Sequence, residues 1–180
     1  MKWDWFIEIH QATIIHLNII VMINIKDLRI GNIIKDTVNS TLCTVLEVRE
    51  NHVRCQYIRA DTGETYVSII HKEALSPIKV TSKIILACSA YQLPYSTVMN
   101  SFNLDLGRDR NLSIGCVGTP NLIVFLEEVE RNENGDVIKK NDLICVHNWD
   151  YDGELYLHQL QNLYAVLKKE ELVIDLNKLS

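Results

Sequence analysis

The sequence predicts an α+β protein, in which a small, strongly bent N-terminal β unit precedes an antiparallel sheet covered by one or two helices. Three observations carry this. From Ile23 to Ile78, short β-branched alternating runs are separated by turn residues at close intervals. From Asn111 onward, longer alternating runs flank an Asn134-Gly135 pair, a strong hairpin signal. Between Leu155 and Leu172, the residues Leu157, Leu160, Leu163, Tyr164 and Leu167 recur at three- and four-residue steps, which lays one apolar stripe along an α-helix. A helix this short is marginal alone in water, so its stripe must cover something. Burying side chains of this kind contributes roughly 1.5 to 3 kcal/mol each before ordering entropy is subtracted.

In chain order, residues 1–21 show no turn signal and no clean period, and Met22 reads as a normal start. Translation is therefore expected to begin at Met22, with 1–21 a non-native or weakly ordered extension. A first strand is expected over Asn32 to Lys35, after Gly31. Thr41 to Arg49 follows, with Leu42, Thr44, Leu46 and Val48 on one face and Cys43, Val45 and Glu47 on the other. Glu50 and Asn51 make a hairpin turn, His52 to Arg59 returns, and Asp61 to Gly63 turn again into Glu64 to Ile70. The HKEALSPI segment gives a short helical turn before Pro77. This order of pieces resembles the SH3-like or Tudor-like small barrel, and the resemblance implies such a barrel over residues 22–78.

The second part, 79–180, opens with a helix over Thr81 to Ser89, capped by Thr81 or Ser82 with Ile84, Ile85 and Cys88 inward. Residues 90–110 read as a variable loop with a brief ordered piece. Strands are expected over Asn111 to Val117 and Asn121 to Val129, with a type I′ turn at Asn134-Gly135. Val137 to Lys139 and Leu143 to Trp149 return, Asp150 to Gly153 turn, and Glu154 to Leu157 extend. The organising helix covers His158 to Lys169, with Gln159, Gln161, Asn162 and Lys168 opposite its stripe. Leu172 to Leu176 is expected to close the sheet as a last strand.

Composition excludes several classes. The chain has 180 residues, 47% hydrophobic and 23% charged, which suits a soluble fold with an adequate core. Five cysteines at irregular spacing, with no C-x-x-C, point to reduced thiols and a cytosolic protein. A net charge of −5 disfavours general nucleic-acid binding. Glu127, Glu128, Glu130, Glu133 and Asp136 read as a solvated hairpin face. The apolar run from Ala12 to Ile23 is too short to cross a membrane.

Three segments carry a family resemblance. Leu28 to Asn32 reads LRIGN, Ser76 to Leu86 reads SPIKVTSKIIL, and His158 to Tyr164 reads HQLQNLY, followed by EEL at Glu170 to Leu172. Together they resemble an uncharacterised family of short proteins found in Bacteroidetes genomes and their prophages, and the match runs from Met22 onward. It implies a mobile-element context but assigns no catalytic residue. Lys168 and Lys169 replace the family's threonine and glycine, so the residue best suited to a left-handed helix end is missing. Lys79 stands where the family has a second proline.

Candidate chemistry is sparse. Cys145 and His147 lie two apart on an expected strand and so share a face, the core of a thiol nucleophile, although Leu143 and Trp149 on that face read as an apolar row. The cysteines lack zinc spacing, and Asp150, Asp152 and Glu154 lack the pattern of a calcium loop. Gly115 to Pro120 reads as a turn rather than a phosphate cradle. Trp149, Tyr151 and Asp152 beside Gly153 are the candidates for partner contact, since aromatic side chains anchor interfaces. The expected function is that of a non-catalytic, phage- or prophage-associated accessory protein, without cofactor or metal. It would bind a protein partner through the barrel or the Trp149 to Gly153 rim, and homo-oligomerisation stays open. Two alternatives come from other classes. One is nucleic-acid binding by the barrel, which requires Arg29, Arg49, Arg54, Arg59 and Lys72 to converge. The other is a thiol-dependent enzyme at Cys145 and His147.

Overall fold

The computed structural model describes residues 22–59, 61–92, 102–107, 109–116, 122–148 and 154–178. They form two five-stranded antiparallel sheets and one main helix, an α+β arrangement made mostly of sheet. The first sheet has the order β4-β3-β2-β1-β5, built from β1 (Ile33–Asp36), β2 (Thr41–Val48), β3 (His52–Ile58), β4 (Thr65–His71) and β5 (Leu75–Ser76). A 3-10 turn over Lys72–Ala74 supplies the helical turn expected before Pro77 and feeds β5 back against β1. No closed barrel is formed by the described strands.

The alternation expected on β2 is broken. A register shift between Val45 and Glu47 inserts an extra residue, so Val48 packs with Cys43 and Val45 rather than with Leu42 and Thr44. These join Ile23, Leu28, Ile34, Val53, Cys55, Tyr57, Ile70 and Leu75 in the first core. Asp36 is buried beside Tyr57 of this core. Burial alone would raise its carboxyl, but hydrogen bonds from the Tyr57 hydroxyl at 2.8 Å, Asn39 Nδ2 at 2.8 Å and the Val38 amide at 2.9 Å outweigh that and leave it lowered.

The second sheet has the order β10-β9-β8-β7-β6, from β6 (Tyr91–Gln92), β7 (Phe102–Gly107), β8 (Arg110–Cys116), β9 (Leu122–Arg131) and β10 (Val137–Asn148). The 90–110 segment is thus corrected: it contributes two strands, and β7 lies inside the sheet. Phe102, Leu104 and Leu106 alternate with polar Asn103 and Asp105, so the period of two was present but short. β10 is one strand with irregular pairing rather than two. The β9–β10 turn has positive φ at Gly135 only, at 86°, with the Gly135 amide donating to Asn132 O at 2.9 Å, so a type I′ turn is excluded. Asn132 Oδ1 accepts from the amides of Asn134 and Asp136, which lets an ordinary turn close the hairpin.

Two helices cover one face of this sheet. The first, α1 (Ser82–Ala87), starts where Thr81 Oγ1 accepts from the Ile84 amide at 3.3 Å. The second, α2 (Leu157–Lys168), starts one residue earlier than expected, because Glu154 to Leu157 is no strand. Tyr156 instead forms an isolated bridge to Lys79, and the Leu157 amide donates to Ile78 O. Leu157, Leu160 and Tyr164 are buried against Phe102, Leu104, Leu112, Ile114 and Val124, and Leu163 and Leu167 flank them. Leu172 to Leu176 does not close the sheet either; it runs as coil into a 3-10 turn, with the Asp175 amide bound to Ala87 O.

Candidate functional site

The largest departure from expectation lies on α2. Gln161 belongs to the side expected to face solvent, yet it is fully buried, and Asn162 is half-buried. Both meet the turn before β1. The Ile33 amide donates to Gln161 Oε1 at 2.9 Å, and Gln161 Nε2 donates to Gly31 O at 3.2 Å. Asn162 Oδ1 accepts from Asn32 Nδ2 at 2.9 Å and Arg29 Nε at 2.6 Å, while its own amide donates to Asp27 O at 2.7 Å. Arg29 completes a fork on Glu171, with Nη1 at 2.5 Å and Nη2 at 2.8 Å, and holds the Glu171 carboxyl below the usual range. The LRIGN and HQLQNLY-EEL segments therefore bind each other. Their polar side chains form a latch between the first sheet and α2.

A second polar array lies across the face of the C-terminal sheet that points away from the helices. Asn103, Asn111, Ser113 and Glu127 are buried there, in rows fixed by the pairings Asn103 to Ser113 and Asn111 to Glu127. Arg131 donates to Asn111 Oδ1 at 2.9 Å and Asp105 Oδ1 at 3.0 Å. Lys140 Nζ lies 2.9 Å from Glu127 Oε2. Glu127 thus leaves the solvated acidic cluster to which its sequence position assigned it, because odd-numbered residues of β9 share this covered face.

The remaining surface of interest is the outer face of β3 and β4. Pairing sets Arg54 opposite Ile69, Gln56 opposite Val67 and Ile58 opposite Thr65, so these residues share one face. Ile58, Val67 and Ile69 are exposed by 59%, 46% and 67%. A shallow groove of about 270 Å³ beside them is lined by Glu47, Arg49, His52, Arg54 and Ile69. On the opposite face Tyr57 and Tyr66 stack at 4.9 Å. Thr65, Val67 and Ile69 were legible as one face of a strand; that they stand exposed among the described residues was not.

Of the cations named for nucleic-acid binding, Arg49 and Arg54 line the same groove; Arg29 is held in the latch, Arg49 also pairs with Glu47 at 2.6 Å, Arg59 lies 3.6 Å from Glu64, and Lys72 binds Asn51. For the thiol alternative, the backbone register pairs Cys145 with Phe125 and His147 with Val124, with an irregularity between them. Elsewhere Cys43, Cys55 and Cys88 are buried free thiols, and burial pushes Cys88 up to about 12. His158 is buried and its imidazole is lowered by desolvation, hence neutral. Among the described residues no group of His, Cys, Asp and Glu could hold a metal ion. The contact candidates Trp149, Tyr151 and Asp152 lie outside the described residues, as do 1–21. No helix among the described residues is long and apolar enough to cross a membrane. No family model matches the chain, and neither a curated protein nor a solved structure matches it.

Proposed function

We propose that this chain is a non-catalytic, cytosolic accessory protein that binds a protein partner through the outer face of β3 and β4. The observation that carries the proposal is the run of Ile58, Val67 and Ile69, three exposed apolar side chains on one sheet face beside a groove edged by Arg49 and Arg54. Contiguous apolar surface rimmed by polar groups is what interaction sites present. We assign the N-terminal unit to the SH3-like class. In support, β1 lies between β2 and β5, and a 3-10 turn leads into the last strand. Small barrels of that class commonly serve as binding modules, although fold alone does not choose the partner. The phage or prophage setting is supported by the resemblance of the LRIGN and HQLQNLY segments, and the cytosolic setting by the unpaired thiols.

Capture from a native-host lysate on the tagged full chain tests the proposal, with co-purifying protein and nucleic acid both identified. Protein should be retained by the wild type, lost with Ile58→Asp, and kept with Val173→Asp, which alters an equally exposed residue outside the patch. Retention that ignores Ile58→Asp, or salt-sensitive retention of nucleic acid alone, would remove the proposal.

A further inference from the structure

Among the described residues, the first sheet ends on an edge without the usual protection: β4 pairs there only with β3, in unbroken register from Thr65 to His71. Its seven residues include no Lys, Arg, Asp, Glu, Pro or Gly. Soluble proteins guard their edges with such residues, with bulges or with a covering segment, because open N–H and C=O groups template another strand. Here Tyr66, Val67 and Ile69 stand exposed along that edge.

We propose that β4 pairs antiparallel with β4 of a second copy of this chain, about a two-fold axis through Ser68. The register follows from the strand itself. Only alternate residues of β4 turn their main-chain groups away from β3, so odd-numbered residues meet odd and even meet even. Of the registers this leaves, the one centred on Ser68 uses the whole strand. Val67 then lies opposite Ile69 of the second copy and Ile69 opposite its Val67, an apolar cross-strand pair made twice by symmetry. Thr65 meets His71.

Charge chooses the same register. One residue beyond each end of β4, Glu64 comes opposite Lys72 of the second copy, again twice. Moving the axis to Val67 puts Glu64 opposite Ile70 and Lys72 opposite Thr62. Moving it to Ile69 puts them opposite Ala74 and Tyr66, so either shift leaves both charges unmatched. Neither side chain is held firmly within its own chain: Glu64 lies 3.6 Å from Arg59 in an exposed pair, and Lys72 reaches only the Asn51 amide oxygen. The pairing joins the two N-terminal sheets edge to edge and keeps their outer faces open, so it stands or falls separately from the capture of a different partner.

Sedimentation equilibrium of the full chain over a wide concentration range tests this. The wild type should approach twice the 20.7 kDa chain mass. Ile69→Lys changes an exposed side chain and should leave a folded monomer, with an unchanged far-ultraviolet circular dichroism spectrum. Glu64→Lys and Lys72→Glu, each alone, set like charges opposite one another twice and should weaken the dimer by about five- to tenfold. An equimolar mixture of those two variants should pair as tightly as the wild type, because each supplies the charge the other needs. A wild type that stays monomeric, a dimer indifferent to Ile69→Lys, or a mixture no tighter than its components would each overturn the proposal.

Discussion

Gly31 shows how one position can answer to two constraints. Its φ is 91°, which costs an L-residue strain, and a Cβ there would lie 3.3 Å from Glu171 Oε2. Gly31→Ala should therefore lower stability by about 1 to 2 kcal/mol in urea denaturation, more than a turn glycine facing open space would. Gly63 supplies the control: its φ is 70° with nothing nearby, so Gly63→Ala should lose only the conformational part. A turn glycine was legible in the sequence at both places. The carboxylate that Gly31 faces was not, because Glu171 is distant in the chain and no local pattern links them. Tyr57 gives the pH prediction. Its hydroxyl donates to Asp36, whose folded-state carboxyl is lowered, so the unfolded chain binds that proton more readily. The resulting stability is fully present above the unfolded carboxylate value, about 3.9, and is lost as pH falls through the lower folded value. Tyr57→Phe should cost about 1 to 2 kcal/mol at neutral pH, and its difference from wild type should shrink as the medium is acidified through that window.

At the scale of the element, α2 was the most legible part of the chain and still misled. Its three- and four-residue spacing located the helix to within a residue at each end, but a single apolar stripe describes a helix with one buried side. α2 has two, because Ile33 and Gln161 bring β1 against it while Leu160 and Tyr164 face the C-terminal sheet. Polar residues on the second buried side look like solvent-facing ones until their backbone partners are known. β7 was lost for a different reason: its alternation spans only Phe102 to Leu106, inside a segment with no sustained period. The end of α2 offers a direct check. Lys169 adopts the left-handed conformation, φ 63° and ψ 27°, with its amide bound to Ala165 O at 2.8 Å. Lys169 therefore occupies the glycine geometry itself. Lys169→Gly should stabilise the protein by about 0.5 to 1 kcal/mol, seen as a raised thermal midpoint.

For the whole molecule the question is what makes two separately cored sheets behave as one body. The first core gathers around Val45, Cys55 and Tyr57, the second around Leu112, Ile114 and Leu160, and β1 serves both, turning Ile34 into one and Ile33 into the other. The latch lies at that shared strand, and its members should not contribute equally. The Arg29 to Glu171 fork has the best geometry, but the two side chains are 30% and 59% exposed, so solvent screens it and Glu171→Gln should cost less than about 1 kcal/mol. Gln161 makes neutral hydrogen bonds, yet it is buried, and removing its amide strands the buried Ile33 amide and takes a partner from the part-buried Gly31 carbonyl. Gln161→Leu keeps the volume and should cost about 2 to 4 kcal/mol, the penalty for the two backbone groups that lose a partner. Denaturant titration of both variants decides which interaction couples the sheets. If Glu171→Gln proved the more damaging, the charged fork rather than the buried amide would be holding the molecule together, and raising the salt concentration would then weaken the wild type as well.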